Sequence, residues 1–311
     1  IDTMLKMERY RGHFYNWYDT QSLKPLNPRY ISTVDSGNLA GHLLTLRQGI
    51  LELPKQKIVD ARVFEGLQNT FRILADLTDK SDLVLLQPFK TELQSAQEKT
   101  PANLFAFRAC LESLQKAYND IHLSNTNKKS EMEWWMEVLS RQIQSALQEL
   151  KILAPWIFLS DIPAQFQNLK HVKEIPTLLE LSKSGASVTN EISEIAIGNA
   201  DEKEWLNTFQ SNVKESVNKA NQRLEVIEKL DKECNEFSQM ELNFLFDKTK
   251  DLMTIGYNVD DHRSDTGYYD LLASEARLGI FVGIAQGRLP QESWFAFSRL
   301  LTNVDGHPIL L

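Results

Sequence analysis

The apolar residues in the long middle of the chain recur at spacings of three and four. This pattern runs through 59–78, 102–122, 131–152 and 201–230. It places apolar side chains along one face of a helix, as a buried helical stripe requires. We therefore predict that residues 48–235 form a helical bundle or a helical insertion.

Glycine and aromatic residues are concentrated outside this middle stretch. Residues 1–47 and 236–311 together hold 16 of the 29 aromatic residues and 9 of the 13 glycines. Glycine permits tight turns and close backbone approach, and aromatic rings offer flat stacking surfaces. The two ends are therefore expected to form the functional site.

Several classes of function are disfavoured by composition and motifs. The 311 residues carry a net charge of −8, which disfavours nucleic-acid binding, and no apolar stretch is long enough to span a membrane. Cys110 and Cys234 lack metal-ligand or redox spacing, so no metal site is predicted. The chain also lacks a phosphate-binding loop, a dinucleotide fingerprint and a serine-nucleophile elbow. Carboxylates and aromatic residues remain, a combination that indicates carbohydrate chemistry.

One strand signal follows the helical middle. Residues 242–246 and 252–257 flank a polar turn and predict a β hairpin. Helices are predicted from about 268 to 286 and from about 290 to 302. The fold class is therefore mostly α with a small β hairpin.

Residues 11–19 combine aromatic rings with hydrogen-bonding side chains and show neither helical nor alternating order. Sugars suit such a segment, because rings cover the C–H face of a pyranose while Arg, His, Asn and Asp bind hydroxyls. A well-packed loop with its rings in the core is the alternative.

Residues 30–43 indicate a helix that begins near Asp35 or Ser36. In the functional interpretation, Asp35 and Asn38 lie at the rim of a cleft. In the structural alternative, Asp35 is a cap, and the glycines at 37 and 41 allow a neighbouring helix to approach.

Glu275 would share a helix face with Tyr268, Leu271 and Leu272. A carboxylate on an apolar face is costly unless it is paired or functional. Glu275 is therefore a candidate acid or nucleophile, and a salt bridge to a distant Arg is the alternative. Asp265 lies in an acidic loop whose spacing does not fit a calcium site, and a solvated loop is expected there.

Three segments carry a family resemblance: 11–20 (RGHFYNWYDT), 28–42 (PRYISTVDSGNLAGH) and 255–278, which runs from IGYN to YYDLLASEARL. They closely resemble the central, glycoamylase-like region of bacterial cyclic β-1,2-glucan synthases. The resemblance implies an (α/α)6 toroid that closes linear β-1,2-glucan into a ring by retaining transglycosylation.

The resemblance also implies a domain organisation. Residues 1–47 would begin the catalytic domain, 48–235 would be a helical insertion, and 236–311 would continue the catalytic domain. The toroid would be partial here and would need further helices after Leu311. A fragment of this kind is expected to be inactive alone, with the second catalytic carboxylate beyond Leu311.

The resemblance implies roles for individual residues. Glu275 would be one of the catalytic carboxylates, with Asp270 as the local alternative, and Asp35 would hold hydroxyls or polarise a partner. Stacking or hydrogen bonding to glucose is implied for Tyr15, Trp17, Tyr257, Tyr268 and Tyr269. Fixing of hydroxyls is implied for Arg11, His13, Asn38 and Asn258.

The implied partners are linear and cyclic β-1,2-glucan and the neighbouring glycosyltransferase and phosphorylase-like domains of the same chain, with no nucleic acid. No cofactor is expected in this segment, because the parent would use UDP-glucose in another domain. The parent would reside in the bacterial inner membrane, with this segment soluble on the cytoplasmic side. Two rival functions remain open: a β-glucan hydrolase of the same architecture, and a non-catalytic helical module that binds glucan or docks domains.

Overall fold

The computed structural model describes residues 1–121, 129–159, 162–166, 169–193, 195, 198–270, 273–297 and 301–310. The helices in the described ranges are α1 (Asp2–Lys6), α2 (Thr33–Glu52), α3 (Arg62–Leu77), α4 (Gln87–Glu98), α5 (Leu104–Asn119), α6 (Lys129–Leu153), α7 (Lys170–Lys173), α8 (Leu178–Ser193), α9 (Ala200–Phe237), α10 (Ser274–Ala285) and α11 (Glu292–Ala296). The strands in these ranges are β1 (Arg9–Tyr10), β2 (His13–Phe14), β3 (Tyr30–Ser32), β4 (Phe246–Asp247), β5 (Leu252–Met253), β6 (Gly256–Asn258), β7 (Arg263–Ser264), β8 (Leu301–Val304) and β9 (His307–Leu310). The predicted fold class, mostly α with a small β hairpin, is confirmed as mostly α, and the toroid stays a prediction.

The chain divides into two compact units. One comprises residues 1–52 and 226–311, and the other comprises residues 53–225. Helix α9 runs continuously through residue 225 and contributes residues to both units. All residues singled out as site candidates belong to the first unit.

The second unit is built on the helices that apolar spacing predicts. In α3, the side chains of Phe64, Leu67, Phe71 and Leu74 are at most 2% exposed. The ring of Phe64 stacks on Phe107 of α5, with their centroids 5.0 Å apart. A single apolar stripe on each helix therefore supplies this core, and for this reason the spacing of apolar residues predicts these helices.

Two glycines bring α2 and α10 close together in the first unit. A methyl group added at Gly37 would overlap the Cα atom of Gly279 and lie 3.2 Å from its amide nitrogen. One turn later, Gly41 faces the side chain of Leu278. The absence of side chains at these positions therefore lets the two helix backbones touch.

The predicted hairpin differs from the strand pairing in the structure. Within the predicted hairpin, β4 pairs with β5 through Phe246–Met253 and Asp247–Leu252. Strand β6 instead pairs antiparallel with β3, and β7 pairs with the other edge of β6. The local pattern could not reveal this, because β3 lies more than 220 residues before its partner.

The last elements also differ from the prediction. Helix α10 begins at Ser274 instead of 268, because Tyr268 forms a β-bridge with Thr254. Helix α11 covers only Glu292–Ala296, and β8 and β9 form a hairpin where the second helix was expected to end. Asp305 and Gly306 both have positive φ in its two-residue turn, as a right-handed hairpin twist requires.

Candidate functional site

Strand β3, the loop after β7 and the start of α10 bring together residues that are far apart in sequence. Tyr30 of β3 faces Asn258 of β6, and the amide of Asp265 donates to the carbonyl of Gly256 at 3.0 Å. Helix α2 begins directly after β3, which places Asp35 in its first turn. Glu275 occupies the first turn of α10.

Tyr30 and Asp265 form the centre of this arrangement. The Tyr30 hydroxyl donates a hydrogen bond to Asp265 Oδ2. The Tyr30 ring lies across Gly256, where a methyl group would overlap the hydroxyl end of the ring and lie 2.5 Å from the carbonyl oxygen of Ile31. Glycine at 256 is therefore needed for the Tyr30 ring to reach Asp265.

The charges of Asp35 and Asp265 act on both Tyr30 and Tyr269, and the charge of Glu275 acts on Tyr269. Burial raises the pKa of Tyr30, and the hydrogen bond to Asp265 and the charges of Asp265 and Asp35 raise that pKa further. Burial also raises the pKa of Tyr269, and the charges of Asp35, Glu275 and Asp265 add to that increase. Both phenols therefore stay protonated at neutral pH and can donate hydrogen bonds.

Trp17 supplies an exposed ring beside Tyr30. The two ring centroids are 6.4 Å apart, and Trp17 is 50% exposed. Asn16 holds the Trp17 loop against β3. Its backbone amide donates to the Tyr30 carbonyl at 2.9 Å, and its side-chain Oδ1 accepts from the Ser32 backbone amide at 3.1 Å. We define the acidic-aromatic cluster as Trp17, Tyr30, Asp35, Asp265, Tyr269 and Glu275.

The structure changes the argument for Glu275. Tyr268 lies outside α10, and Leu271 and Leu272 fall outside the described residues, so the proposed apolar helix face is not observed. Glu275 is instead exposed in the first turn of α10, and its charge acts on Tyr269. Its candidacy now depends on membership of the acidic-aromatic cluster.

Three other candidates lie in a packed group of rings. His13 is completely buried, its Nδ1 lies 2.8 Å from Ser36 Oγ, and its Nε2 lies 2.7 Å from the carbonyl oxygen of Glu241. Tyr257 stacks on Tyr10 with 6.0 Å between ring centroids. Arg11 pairs with Glu241 at 3.0 Å. His13 therefore offers no ring nitrogen to a sugar, and its suggested role in fixing hydroxyls has no geometric support.

The burial of His13 gives a pH prediction. Burial lowers the pKa of His13 below its ordinary value of 6.5, outweighing the opposing effect of Glu241. Below pH 6.5 the unfolded chain takes up a proton that the folded protein excludes, so stability should fall as the pH drops from about 7 to about 5. His13→Gln should lower stability at pH 7 by about 1–3 kcal/mol and flatten this slope.

Urea unfolding between pH 5 and pH 8 measures this effect. His42→Gln is the control, because His42 is exposed and its Nδ1 bonds to the Asn38 carbonyl of its own helix. The control should keep the wild-type slope. An unchanged slope in His13→Gln would contradict the assignment.

The remaining candidates make local contacts within the first unit. The Tyr15 hydroxyl is 3.4 Å from Glu8, the Asn258 side chain is 2.9 Å from Asp261, and the Tyr268 hydroxyl donates to Asp247 at 2.6 Å. Asn38 is partly buried within α2, and the Asp270 carbonyl accepts from the Ala273 amide at 3.1 Å. These contacts leave their suggested sugar-binding and catalytic roles as predictions.

Sequence reasoning did not select two members of the acidic-aromatic cluster, Tyr30 and Asp265. Tyr30 appears only as the first residue of a helix-start motif, and Asp265 only as a loop acid. Their contact spans 235 residues. Nothing in either local segment indicates it.

Two kinds of feature are absent from the described residues. Within those ranges, no set of three or more His, Cys, Asp or Glu side chains is arranged to hold a metal ion. No helix in the same ranges combines the length and the apolar character needed to cross a bilayer.

The protein is mostly helical, and its first unit carries the acidic-aromatic cluster. No protein-family model matches the chain. An alignment of 312 positions, covering the whole chain, shows 28% identity to the Cyclic beta-(1,2)-glucan synthase NdvB of Rhizobium meliloti (strain 1021). The chain is therefore related to a cyclic glucan synthase, which confirms the resemblance seen in the motifs. It spans 9% of that relative's length.

Proposed function

We propose that this chain is the part of a cyclic β-1,2-glucan synthase that closes linear β-1,2-glucan into a ring by retaining transglycosylation. The observation that carries the proposal is the 28% identity to the glucan synthase over the full length of the chain. The acidic-aromatic cluster supports it, because exposed rings, protonated phenols and carboxylates suit a neutral sugar.

The proposed reaction requires a carboxylate nucleophile and an acid/base carboxyl group on either side of the scissile bond. Glu275 is proposed as one member of this pair. The nucleophile displaces the reducing-end part of the glucan, which leaves with a proton from the acid/base group. The terminal hydroxyl of the retained chain then gives its proton back to that group and attacks in place of water, which requires a site that excludes water. Asp35 would hold hydroxyls, and Trp17 would cover the face of a glucose ring.

The setting of the parent protein is also proposed. It would lie in the bacterial inner membrane, with this segment on the cytoplasmic side. A glycosyltransferase domain using UDP-glucose would supply the linear glucan, and a phosphorylase-like domain would adjust its length.

Incubation of the full-length protein with linear β-1,2-glucan tests the proposal. Products are separated by chromatography and assigned by mass, since closing a ring without adding water leaves a product 18 Da lighter than the linear chain of the same length. Cyclic products are expected. Shorter linear products alone would contradict cyclisation and favour a hydrolase, and unchanged glucan that binds the protein would favour a non-catalytic module.

A further inference from the structure

A pocket of about 170 Å³ opens in the unit formed by residues 53–225. Its inner wall is apolar: the side chains of Trp156, Leu181, Val188 and Val213 form it, and each is at most 4% exposed. The volume is close to that of apolar cavities that hold one benzene-sized molecule. An occupant the size of a single six-membered ring therefore fits this space.

The polar side-chain groups of the wall are already bonded within the protein. The indole Nε1 of Trp156 donates to the Val172 carbonyl at 3.1 Å. The hydroxyl of Ser184, which also lines the pocket, donates to the Leu181 carbonyl at 2.8 Å. An occupant with hydrogen-bonding groups of its own would gain little from such a wall, and burying those groups unpaired costs free energy. The wall therefore favours an occupant without them.

The charges at the mouth of the pocket are balanced and partnered. Glu174 and Glu180 line the mouth, Lys173 directly precedes Glu174, and Lys57 pairs along the backbone with Thr177. The Glu180 carboxylate accepts from the Thr177 amide at 2.7 Å, and Glu174 also has an interaction partner. All four charged side chains are exposed, and their charges sum to zero. The mouth therefore favours neither a cation nor an anion.

Backbone contacts hold the rim of the pocket in place. The Ile58 amide donates to the Pro176 carbonyl at 2.9 Å, which fixes the rim segment to the backbone near residue 58. At the start of α8, the Thr177 hydroxyl oxygen accepts from the Glu180 amide at 3.1 Å, which completes a capping box. Because these contacts already exist without a ligand, binding would require little ordering of the protein.

We propose that this pocket binds one uncharged, apolar molecule the size of a single six-membered ring, packed against Trp156 and Leu181. A glucose unit is unsuited to the same wall, because its hydroxyls would be buried without partners. The site is separate from the proposed glucan chemistry and does not depend on it. Neither the relative's name nor the sequence motifs assign a ligand to this unit.

Titration of the full chain with toluene, benzylamine and benzoate, followed by methyl NMR, tests the proposal. Leu181 lines this pocket, and Val217 lines a separate groove nearby. Toluene should shift the Leu181 methyl signals with a dissociation constant of about 1 mM or lower and leave the Val217 signals unchanged. Benzylamine and benzoate should each bind at least about tenfold more weakly, because each would bring a charge to an apolar wall.

Three results of this titration would overturn the proposal. They are an unchanged Leu181 signal at saturating toluene, a toluene response at Val217 alone, and equal affinity for the charged and uncharged probes. The first would show that the pocket does not admit a ring, and the second would place binding in the other groove. The third would show that the wall does not select against charge.

A filling substitution locates the binding further. Ser184→Leu should occupy the pocket and weaken toluene binding at least about tenfold, and the space available should let the variant fold. Ser182→Leu is the control, because Ser182 lies on the same helix outside the pocket and its hydroxyl makes the same kind of bond, to the Leu179 carbonyl at 2.8 Å. The control should bind toluene as the wild type does. Equal toluene affinity in the two variants would contradict the assignment.

Glu180→Gln tests whether charge at the mouth matters. Glutamine also serves in a capping box, so the substitution removes the charge and keeps the start of α8. Toluene affinity should stay within about threefold of wild type, because an exposed charge contributes little to binding an uncharged molecule. If Ser184→Leu fails to fold, this variant and the wild-type titration decide. A larger change in toluene affinity in Glu180→Gln would overturn the proposal.

Discussion

Gly37→Ala is expected to destabilise the protein by about 3 kcal/mol or more, the upper part of the range for overpacking. The added methyl group would overlap the Cα atom of Gly279, which is backbone and cannot rotate away. Helices α2 and α10 would have to separate, which would weaken the packing around both. Guanidinium unfolding followed by circular dichroism measures the loss.

The same substitution on the facing helix, Gly279→Ala, provides a matched control at the same helix crossing. A methyl group added at Gly279 would lie 3.4 Å from the Gly37 Cα atom and 4.0 Å from the Thr33 carbonyl, which are ordinary contact distances. Gly279→Ala should therefore change stability by less than about 1 kcal/mol. Similar effects of the two substitutions would contradict the close crossing at Gly37.

Gly49 provides a second control on α2. A methyl group there would meet nothing within 4 Å. Gly49→Ala should stabilise the protein by up to about 1 kcal/mol, because alanine restricts the unfolded chain more than glycine. The sign of the effect should therefore reverse between two glycines of one helix.

Glu275→Gln is expected to reduce ring formation by the full-length protein at least about 100-fold, if Glu275 is one of the catalytic carboxylates. Glutamine keeps the size of the side chain but can neither attack a glycosidic carbon nor exchange a proton. Because Glu275 is exposed, the variant should fold normally. Initial rates of cyclic product formation, with the unfolding midpoint recorded alongside, measure the effect.

Glu292→Gln is the control for this substitution. Glu292 is also exposed and also lies in the first turn of a helix, α11, so both variants lose the same favourable interaction with a helix N-terminus. The control should retain its activity. A Glu275→Gln rate within about threefold of wild type would exclude Glu275 from the catalytic pair and favour a binding role for the cluster.

Helices were predictable where one face alone is buried. The apolar spacing in 59–78 and 102–122 matches α3 and α5, which are observed at Arg62–Leu77 and Leu104–Asn119. These helices follow local rules, because each buries its stripe against similar neighbours. The start of α10 did not follow them, since Tyr268 pairs with Thr254 instead of continuing the helix.

The candidate site was only partly predictable. Trp17, Asp35 and Glu275 were selected from their local chemistry and Tyr269 from the family resemblance, and all four belong to the acidic-aromatic cluster. His13 was selected on the same grounds, yet its ring nitrogens serve Ser36 and the backbone of Glu241. Residue type alone cannot distinguish a ring that packs from a ring that binds.

The sequence by itself determined the helical character, the acidic balance and the relationship to a glucan synthase, because these depend on composition, spacing and contiguous motifs. Only the tertiary structure decided that Tyr30 meets Asp265 and that Gly37 meets Gly279. Both contacts join segments more than 230 residues apart, and both depend on backbone approach that glycine permits. A side chain at position 256 would block the Tyr30–Asp265 contact, and a side chain at position 37 would block the approach of Gly37 to Gly279.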